Sequence, residues 1–340
     1  MNDPDALEDV SLPEESPGVI GHDEARAIVS QRLNGGTLPG AIMLHGPRGI
    51  GKATLAFAIA QDLLVATGDE DAHRVQEQIL AGAHPNIQVL RRQQRDARAY
   101  YTVIRIEDIR SLRDSLHMTR GRNGHRIAII DTIDDCNISA ANALLKTLEE
   151  PPAQTMFILV SHRPGQLLPT IRSRCHSIAL RPISDDDVAQ VLRQQRPDLP
   201  DQQVQGAVSM AQGRPRRAFE ALTIGGESAL GGLSGWLARP LDHDSGAHLA
   251  LADQLAAKAQ SPELMFARDM MLEWLAVEAR EAATQHAGKR RLASVNQLWE
   301  KAQAAFAEAD ALNLDMRQTL VTVLDDIRLH ARSFLAAEIQ

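Results

Sequence analysis

The sequence predicts an α/β domain with a parallel sheet, followed by regions built only from helices. Between residue 41 and about residue 180, short apolar runs alternate with segments whose apolar positions recur three and four residues apart. This alternation is typical of parallel strands joined by helices that cover both faces of the sheet. After Pro182 the strand-like runs stop, and amphipathic helical patterns such as SPELMFARDMMLEWLAVEA and LDMRQTLVTVLDDIRLHARSFL take over.

Strands and helices alternate in order along the α/β region. The runs that are too short and too β-branched for helices are AIMLH (41–45), NIQVL (86–90), RIAIID (126–131) and MFILVS (156–161). The predicted helices between and after them include KATLAFAIAQDLL, IEDIRSLRDSL and ISAANALLKTLEE. Pro151 and Pro152 end the last of these, because proline has no N–H donor and clashes with the preceding turn.

The patterns divide the chain into four regions. These are an acidic tail at 1–16, the α/β domain at 17–181, a small helical region at 182–225 and a larger helical domain at 226–340. We expect the tail to be disordered, because its acidic composition offers little apolar surface to bury. Ser184 is a good cap for the first helix of the small region, and GGESALGGLSG (225–235) is interpreted as a glycine-rich break.

Composition excludes several classes of function. The formal net charge of −8 argues against a protein that coats nucleic acid over its whole surface, although it allows a local basic patch. No apolar run approaches the roughly 20 residues of a membrane helix, and the acidic N-terminus does not resemble a signal peptide. With only Cys136 and Cys175, a four-cysteine zinc site is impossible. We therefore expect a cytoplasmic protein without membrane or zinc.

The segment HGPRGIGKATLAFAIA has the form of a phosphate-binding loop between a strand and a helix. Gly46, Gly49 and Gly51 would let backbone N–H groups turn toward a phosphate at the start of the helix. Lys52 follows at the position that reaches the β- and γ-phosphates. The alternative is a glycine-rich turn followed by a surface lysine.

The loop lacks the hydroxyl that would bind Mg²⁺. Ala53 occupies the position of the usual Ser or Thr. Thr54 follows, but one step along a helix rotates the side chain by about 100°, so Thr54 would contact an α-phosphate oxygen and not the metal. The loop therefore supports binding of a nucleoside triphosphate such as ATP, with a weakened metal site.

The predicted strand that ends in Asp131 is not followed by a general base. Asp131 ends the predicted strand at 126–131, where an acid beside a phosphate loop would hold the hydration shell of Mg²⁺. The alternative is a strand-end turn residue. Thr132 follows it and cannot accept a proton at neutral pH, and Asp134 and Asp135 are interpreted as the cap of the next helix.

Several segments together resemble the delta-prime subunits of bacterial clamp loaders, which belong to DNA polymerase III. The segments are VIGHDEA (19–25), LPGAIMLHGPRGIGKATLA (38–56), AHPNIQVL (83–90), SAANALLKTLEEPP (139–152) and LPTIRSRCHSIAL (168–180). NALLKTLEEPP followed by a Ser-Arg-Cys segment is the most specific part. The resemblance is dense over residues 17–220, and ADALNLDMRQTLVTVL resembles the last collar helix of the family.

The resemblance implies an AAA+ fold with a nucleotide-binding domain, a helical lid and a helical collar. It also implies a role beside gamma/tau and delta subunits in a five-subunit ring that loads the sliding clamp onto primed DNA. Delta-prime subunits commonly lack a working ATPase, a pattern that Ala53 and Thr132 fit. Many members carry a four-cysteine zinc module, which this chain cannot form, and many have a more degraded phosphate loop.

Two other functions are weighed against this one. The first is an active clamp-loader motor of the gamma/tau type, against which Thr132 argues, as does the chain's end at residue 340 without the long extension of a tau-type protein. The second is a plain nucleic-acid-binding AAA+ protein, against which the acidic net charge and the absence of a recognisable DNA-binding module argue.

The family resemblance also implies roles for individual residues. Val19 and Ile20 resemble the rim that packs on adenine, Ser161 resembles a polar sensor of the γ-phosphate, and Arg216 resembles the arginine of the lid. Arg174, in the Ser-Arg-Cys segment, resembles an arginine finger that acts on the nucleotide of a neighbouring subunit. Without the family, these are an apolar pair before a helix, a strand-end serine and surface arginines.

A DNA-facing surface is the last candidate. Arg105, Arg110 and Arg113 surround a predicted helix, where they could touch phosphates without reading bases. The alternative is a solvated helix face, because Glu107 and Asp108 are interleaved with these arginines.

Overall fold

The computed structural model describes most of the chain, which divides into two compact units, Met1–Phe219 and Glu220–Gln340. The described residues are 3–7, 9–68, 71–96, 99–117, 124–224, 229–243, 246–257, 261–284, 289–312 and 314–334. Within them, no helix is both long enough and apolar enough to cross a lipid bilayer.

A five-stranded parallel sheet organises the first unit. Its strands are β1 (Ala41–His45), β2 (Ile87–Leu90), β5 (Arg126–Asp131), β6 (Thr155–Ser161) and β7 (His176–Ala179), in the spatial order β2-β5-β6-β1-β7. A separate antiparallel hairpin consists of β3 (Gln94–Asp96) and β4 (Ala99–Tyr100). The helices are α1 (Asp23–Asn34), α2 (Lys52–Gly68), α3 (Ala72–Leu80), α4 (Ile106–His117), α5 (Ile138–Glu149), α6 (Pro169–Arg172), α7 (Asp185–Gln195), α8 (Asp201–Ala211) and α9 (Pro215–Ile224). The parallel sheet with helices between its strands confirms the predicted α/β class of this domain.

Both faces of the sheet are buried, because alternate residues of each strand enter different apolar clusters. One cluster contains Ile42, Leu44, Ile127, Ile129, Ile158 and Val160, with apolar residues of α1, α2 and α3. The other contains Met43, Ala128, Ile130, Phe157 and Leu159, with apolar residues of α4 and α5. The strands therefore appear in the sequence as continuous apolar runs, which explains why two of them, β1 and β5, were predicted to the residue.

The sequence analysis missed the edge strand β7 and the helix α3. Strand β7 is short and carries the polar residues His176 and Ser177, so its pattern does not stand out from a loop. Helix α3 starts after Asp71, whose carboxylate accepts hydrogen bonds from the backbone N–H groups of His73 and Arg74. The Ser184 cap of α7 was predicted correctly, since its hydroxyl accepts from the N–H of Asp187.

The N-terminal segment differs from its predicted disorder. Its described residues, 3–7 and 9–16, lie against the first unit and include a short 3₁₀ helix, Pro13–Glu15. Glu14 is only 5% exposed, because its carboxylate forms two hydrogen bonds with the guanidinium of Arg91. The acidic composition suggested a solvated tail, but these acids find buried basic partners in the folded domain.

The second unit contains only helices among its described residues. They are α10 (Ala229–Ala238), α11 (Ala247–Ala256), α12 (Pro262–Thr284), α13 (Lys289–Leu312) and α14 (Met316–Phe334). The interpretation of 225–235 as a break is wrong from Ala229 onward, because α10 starts there. Burial of Leu230, Leu233 and Trp236 on one face outweighs the low helix propensity of three glycines.

A buried ion cluster joins α12, α13 and α14. Glu278 accepts hydrogen bonds from the Nε and Nη2 atoms of Arg291, at 2.5 and 2.9 Å. The Nε2 atom of His330 lies 3.1 Å from Glu278, and all three side chains are at most 6% exposed. Burial alone would raise the pKa of Glu278, but the hydrogen bonds from His330 and Arg291 lower it to about 2.

We expect Glu278→Gln to destabilise the second unit by about 3 kcal/mol, because it leaves the buried Arg291 without its main counter-charge. Urea unfolding followed by tryptophan fluorescence measures this unit selectively, since all three tryptophans lie between residues 236 and 299. Glu281→Gln is the matched control, because Glu281 is exposed and only 3.6 Å from Arg291, and it should cost less than about 1 kcal/mol.

The pH dependence has a defined sign. The pKa of Glu278 is lower in the folded state than its ordinary value of 4.5, so its contribution is complete above pH 4.5 and is lost as the pH falls toward about 2. The stability difference between wild type and Glu278→Gln should therefore shrink as the pH is lowered below 4.5. A difference that stays constant would contradict this role.

Candidate nucleotide-binding site

The loop at 46–51 connects β1 to α2. It requires glycine because its φ angles are positive and because neighbouring atoms approach it closely. Gly46 has a φ of 149°, and a Cβ atom there would lie 2.3 Å from the carbonyl oxygen of Leu180. Gly49 has a φ of 82°, and its Cβ would lie 2.7 Å from the Cβ of Arg216. The loop is therefore pressed between the end of the sheet and the start of α9. Gly51, with a φ of 94°, completes the turn into α2.

Lys52 is the first residue of α2 and is only 3% exposed. Its Nζ atom donates hydrogen bonds to the carbonyl oxygens of Gly46, at 2.8 Å, and Pro47, at 2.6 Å. Burial lowers the pKa of Lys52 to about 7, against the opposing attraction of Asp134 and Asp131. Lys52 therefore belongs to the loop, and the alternative of a surface lysine is wrong.

Asp131 lies at the carboxyl end of β5 and is paired with Arg91. The Nε atom of Arg91 lies 3.2 Å from the carboxylate of Asp131, while its other nitrogens bind Glu14 at 3.0 and 2.9 Å. Burial raises the pKa of Asp131 to about 6, although Arg91 opposes that shift. Thr132, which follows it, is 6% exposed and, together with Asp131, lines a cavity beside the phosphate loop. The site therefore contains Asp131 followed by Thr132, the predicted acid without a general base after it.

Ser161 ends β6 beside the loop, but its hydroxyl is already engaged. Ser161 is fully buried, and its Oγ atom donates to the carboxylate of Asp134 at 3.1 Å. The same carboxylate accepts from the backbone N–H groups of His162 and Arg163, at 2.6 and 2.9 Å. The interpretation of Asp134 as a helix cap is wrong, because Asn137 caps α5 by accepting from the N–H of Ala140. Asp134 instead fixes the chain after β6.

Most of the predicted nucleotide-binding residues line one cavity of about 220 Å³ beside the loop. The predicted nucleotide-binding residues among its walls are Val19, Ile20, Gly49, Gly51, Lys52, Thr54, Asp131 and Arg216, and Ala53 lies there as well. His162 also lines it, and burial lowers the pKa of this histidine to about 3, so it is neutral at neutral pH. The cavity is smaller than the about 300–1,000 Å³ usual for small-molecule sites.

Two further residues, Asp5 and Arg48, line the cavity and were not predicted. Arg48, within the loop, and Arg92, after β2, both pair with the carboxylate of Asp5, at 2.9 and 3.1 Å. Arg216 donates to the backbone carbonyl of Asp5 at 2.6 Å. The position of Arg48 in GPRGIGK was a visible signal, whereas nothing local in the sequence connects Asp5 with residues more than 40 positions away.

Arg174 lies outside this cavity. It follows α6, is 36% exposed, and pairs with Glu149 at the end of α5 at 2.5 Å. Its guanidinium also donates to the carbonyl oxygen of Thr170 at 3.1 Å. The structure therefore does not bring Arg174 to the chain's own phosphate loop.

Of the three candidate DNA-facing arginines, Arg105 precedes α4, and Arg110 and Arg113 lie within it. Arg105 stacks on the ring of Tyr101, 3.8 Å from its centroid, and pairs with Asp108 at 2.9 Å. Arg113 pairs with its neighbour Asp114, also at 2.9 Å, and Arg110 is exposed. These contacts match the solvated helix face that the sequence analysis weighed as the alternative, and DNA contact stays a prediction.

The chemistry of the site suits an anionic ligand. Cationic Lys52, Arg48 and Arg216 and the glycine-rich turn fit a polyphosphate, and the apolar Val19 and Ile20 fit a flat ring. The place for a Mg²⁺-binding hydroxyl holds only the methyl group of Ala53. Among the described residues, no group of three or more His, Cys, Asp or Glu side chains is arranged to hold a metal ion.

Residues 21–184 match the family described as "DNA polymerase III, delta subunit". The delta' subunit of DNA polymerase III from Pseudomonas aeruginosa is 33% identical over 182 residues, which cover 52% of this chain and 54% of that protein. The gamma/tau subunit from Mycobacterium tuberculosis is 33% identical over 167 residues, covering 48% of this chain and 28% of that protein. The chain thus spans about half, or less, of the length of these relatives.

Among solved structures, a DNA polymerase III gamma subunit-related protein from Thermotoga maritima is 17% identical, with a TM-score of 0.40. The match covers 89% of this chain and 99% of that one, but these values are too low for a functional conclusion. The family match and the delta' relatives confirm the resemblance predicted from the sequence. Over residues 21–184, the chain is similar to DNA polymerase III subunits, among them delta' and gamma/tau subunits.

Proposed function

We propose that this chain is the delta-prime subunit of a cytoplasmic DNA polymerase III clamp loader. In this role it assembles with gamma/tau and delta subunits and helps the ATP-dependent loading of a sliding clamp onto primed DNA, while hydrolysing little ATP itself. The relatives that support the proposal are delta' and gamma/tau subunits of DNA polymerase III. Contact with DNA, including any through Arg105, Arg110 or Arg113, is made within the assembled complex.

The observation that carries the proposal is the state of the acids around the cavity. The described acidic residues that line it are Asp3, Asp5 and Asp131. Each is paired with an arginine: Asp3 and Asp131 with Arg91, and Asp5 with Arg48. These ion pairs engage the carboxylate oxygens with guanidinium donors, which competes with their use as acceptors for a proton from water. None of these three described acids is therefore free to activate water.

ATP, when bound, would be held by the backbone of Gly46, Gly49 and Gly51 together with Lys52, Thr54 and Arg216, and its adenine by Val19 and Ile20. The energy for loading would come from ATP that active neighbouring subunits bind and hydrolyse. Ala53 leaves the associated Mg²⁺ without a protein hydroxyl, so we expect weak binding.

The alternative is an active motor of the gamma/tau type. The retained Lys52 and the 33% identity with a gamma/tau subunit favour it. The two functions differ in ATP hydrolysis, which a measurement on the purified chain separates.

We expect the purified chain to hydrolyse ATP at least about 10²-fold more slowly than a motor subunit, because a missing general base alone costs that much. Phosphate release measured with and without Lys52→Ala distinguishes intrinsic activity from contamination. Turnover at a motor-like rate that disappears in Lys52→Ala would establish the alternative.

Nucleotide binding should weaken as the pH rises above about 7, because Lys52 loses its proton near that value and then no longer attracts phosphate. Titration with a fluorescent ATP analogue between pH 6 and pH 9 measures the effect. Lys52→Met is the control, since the analogue's own titration affects both proteins equally. The affinity ratio of wild type to Lys52→Met should fall with pH, and a constant ratio would show that Lys52 does not contribute its charge.

Arg174→Ala should lower the clamp- and DNA-stimulated ATPase of the reconstituted complex by a fraction, because only one of several sites would lose its finger. In GTPases, an arginine finger raises the rate of hydrolysis at its site by about 10³–10⁵-fold. Arg172→Ala removes a nearby exposed arginine of the same segment and should leave the rate unchanged. An Arg174→Ala complex that assembles and loads clamps at the wild-type rate would exclude Arg174 as a finger.

A further inference from the structure

The described N-terminal residues, 3–7 and 9–16, form a strap across the phosphate side of the cavity. The carboxylate of Asp5 binds Arg48, within the phosphate loop, at 2.9 Å and Arg92 at 3.1 Å. The backbone carbonyl of the same residue accepts from Arg216 at 2.6 Å. One residue of the strap thus engages three cationic side chains from three separate parts of the first unit.

The strap is anchored on both sides of Asp5. Glu14 makes two hydrogen bonds with Arg91, and both side chains are at most 4% exposed. Asp3 lies 3.6 Å from the same guanidinium. Apolar residues of the strap, Leu7, Val10, Leu12 and Pro13, line the cavity. Buried, charge-assisted pairs of this kind are stronger than exposed ones, so the strap has a defined position and not a random one.

The strap uses groups that a polyphosphate would need. Arg48 and Arg216 face the cavity beside Lys52. The carboxylate of Asp5 neutralises positive charge on Arg48 that would otherwise attract phosphate, and the backbone carbonyl of Asp5 occupies a hydrogen-bond donor of Arg216. The residues of the strap also form part of the cavity wall, which limits the space to about 220 Å³.

We propose that the strap is a competitor of nucleotide built into the chain: its acidic residues occupy the cationic surface of the phosphate site, and a bound nucleoside triphosphate displaces Asp5 from Arg48 and Arg216. The apparent nucleotide affinity is then the intrinsic affinity multiplied by the fraction of molecules in which the strap is released. The inference rests on the proposed function only for the class of ligand. It adds that the occupancy of the site is set by the N-terminal residues as well as by the loop.

The test compares Asp5→Asn with Asp9→Asn in the full chain. Both substitutions are nearly isosteric and remove one negative charge from the strap, but Asp9 is exposed and forms no ion pair among the described residues. Titration with a fluorescent ATP analogue should show about fivefold tighter binding by Asp5→Asn, the effect of losing two partly exposed ion pairs. Asp9→Asn should stay within about twofold of wild type.

Hydrogen exchange supplies a second readout that does not depend on activity. Saturating ATP should accelerate exchange at the backbone amides of residues 3–7 and 9–16 in the wild-type chain, because displacement exposes them to solvent. Equal affinities for Asp5→Asn and Asp9→Asn, or strap amides that ATP leaves unchanged or protects, would overturn the proposal. Failure of all three proteins to bind the analogue would overturn it as well. None of these outcomes affects the clamp-loader assignment, which is tested by assembly with the partner subunits.

Discussion

The buried guanidinium of Arg91 joins three stretches of the first unit at the edge of the phosphate cavity. It binds Asp131 at the end of β5 and Glu14 in the strap, and Asp3 lies 3.6 Å away. Burial disfavours its charge, but the hydrogen bonds with Glu14 and the nearby acids raise the pKa of Arg91 above its ordinary value. A permanently charged group with five donors can satisfy several carboxylates at once, which lysine could not do in this geometry.

This arrangement separates binding from catalysis. Arg91 engages Asp131, so the acid that β5 brings into the cavity is committed to an ion pair. The cations on the phosphate side, Lys52, Arg48 and Arg216, remain suited to holding an anion. A site with positive charge but no acid placed on water can bind a polyphosphate, yet it cannot draw a proton from the attacking nucleophile. Under the proposed function, loss of hydrolysis therefore does not require loss of binding.

The parts of the site that the sequence predicts are those that local patterns determine. Lys52 was predicted from the glycine-rich loop before a helix, and Asp131 from the apolar run that it ends, whereas the role of Ser161 came only from the family resemblance. The pairing of Asp5 and Glu14 with arginines was not predictable, since Glu14 and Arg91 are 77 positions apart and charged residues on a coil have no periodicity. Asp134 was misassigned for a related reason: beside a predicted helix an acid suggests a cap, and only the tertiary structure shows that it fixes the chain after β6. In α10, burial of large side chains overruled the glycines, which the sequence alone weighs as helix breakers.

Arg174 is also held by a carboxylate, but its proposed role lies outside its own subunit. Its guanidinium is held by Glu149 and by the carbonyl of Thr170, so it is oriented at the surface before any partner arrives. Both groups are partly exposed, at 36% and 41%, and ion pairs of this kind contribute little free energy. A phosphate carries more charge than the single carboxylate of Glu149, so an approaching nucleotide would win the competition for the guanidinium. A weak local pair thus orients the arginine without withholding it, whereas a buried pair such as that of Arg91 with Glu14 would prevent its transfer to a neighbour's site.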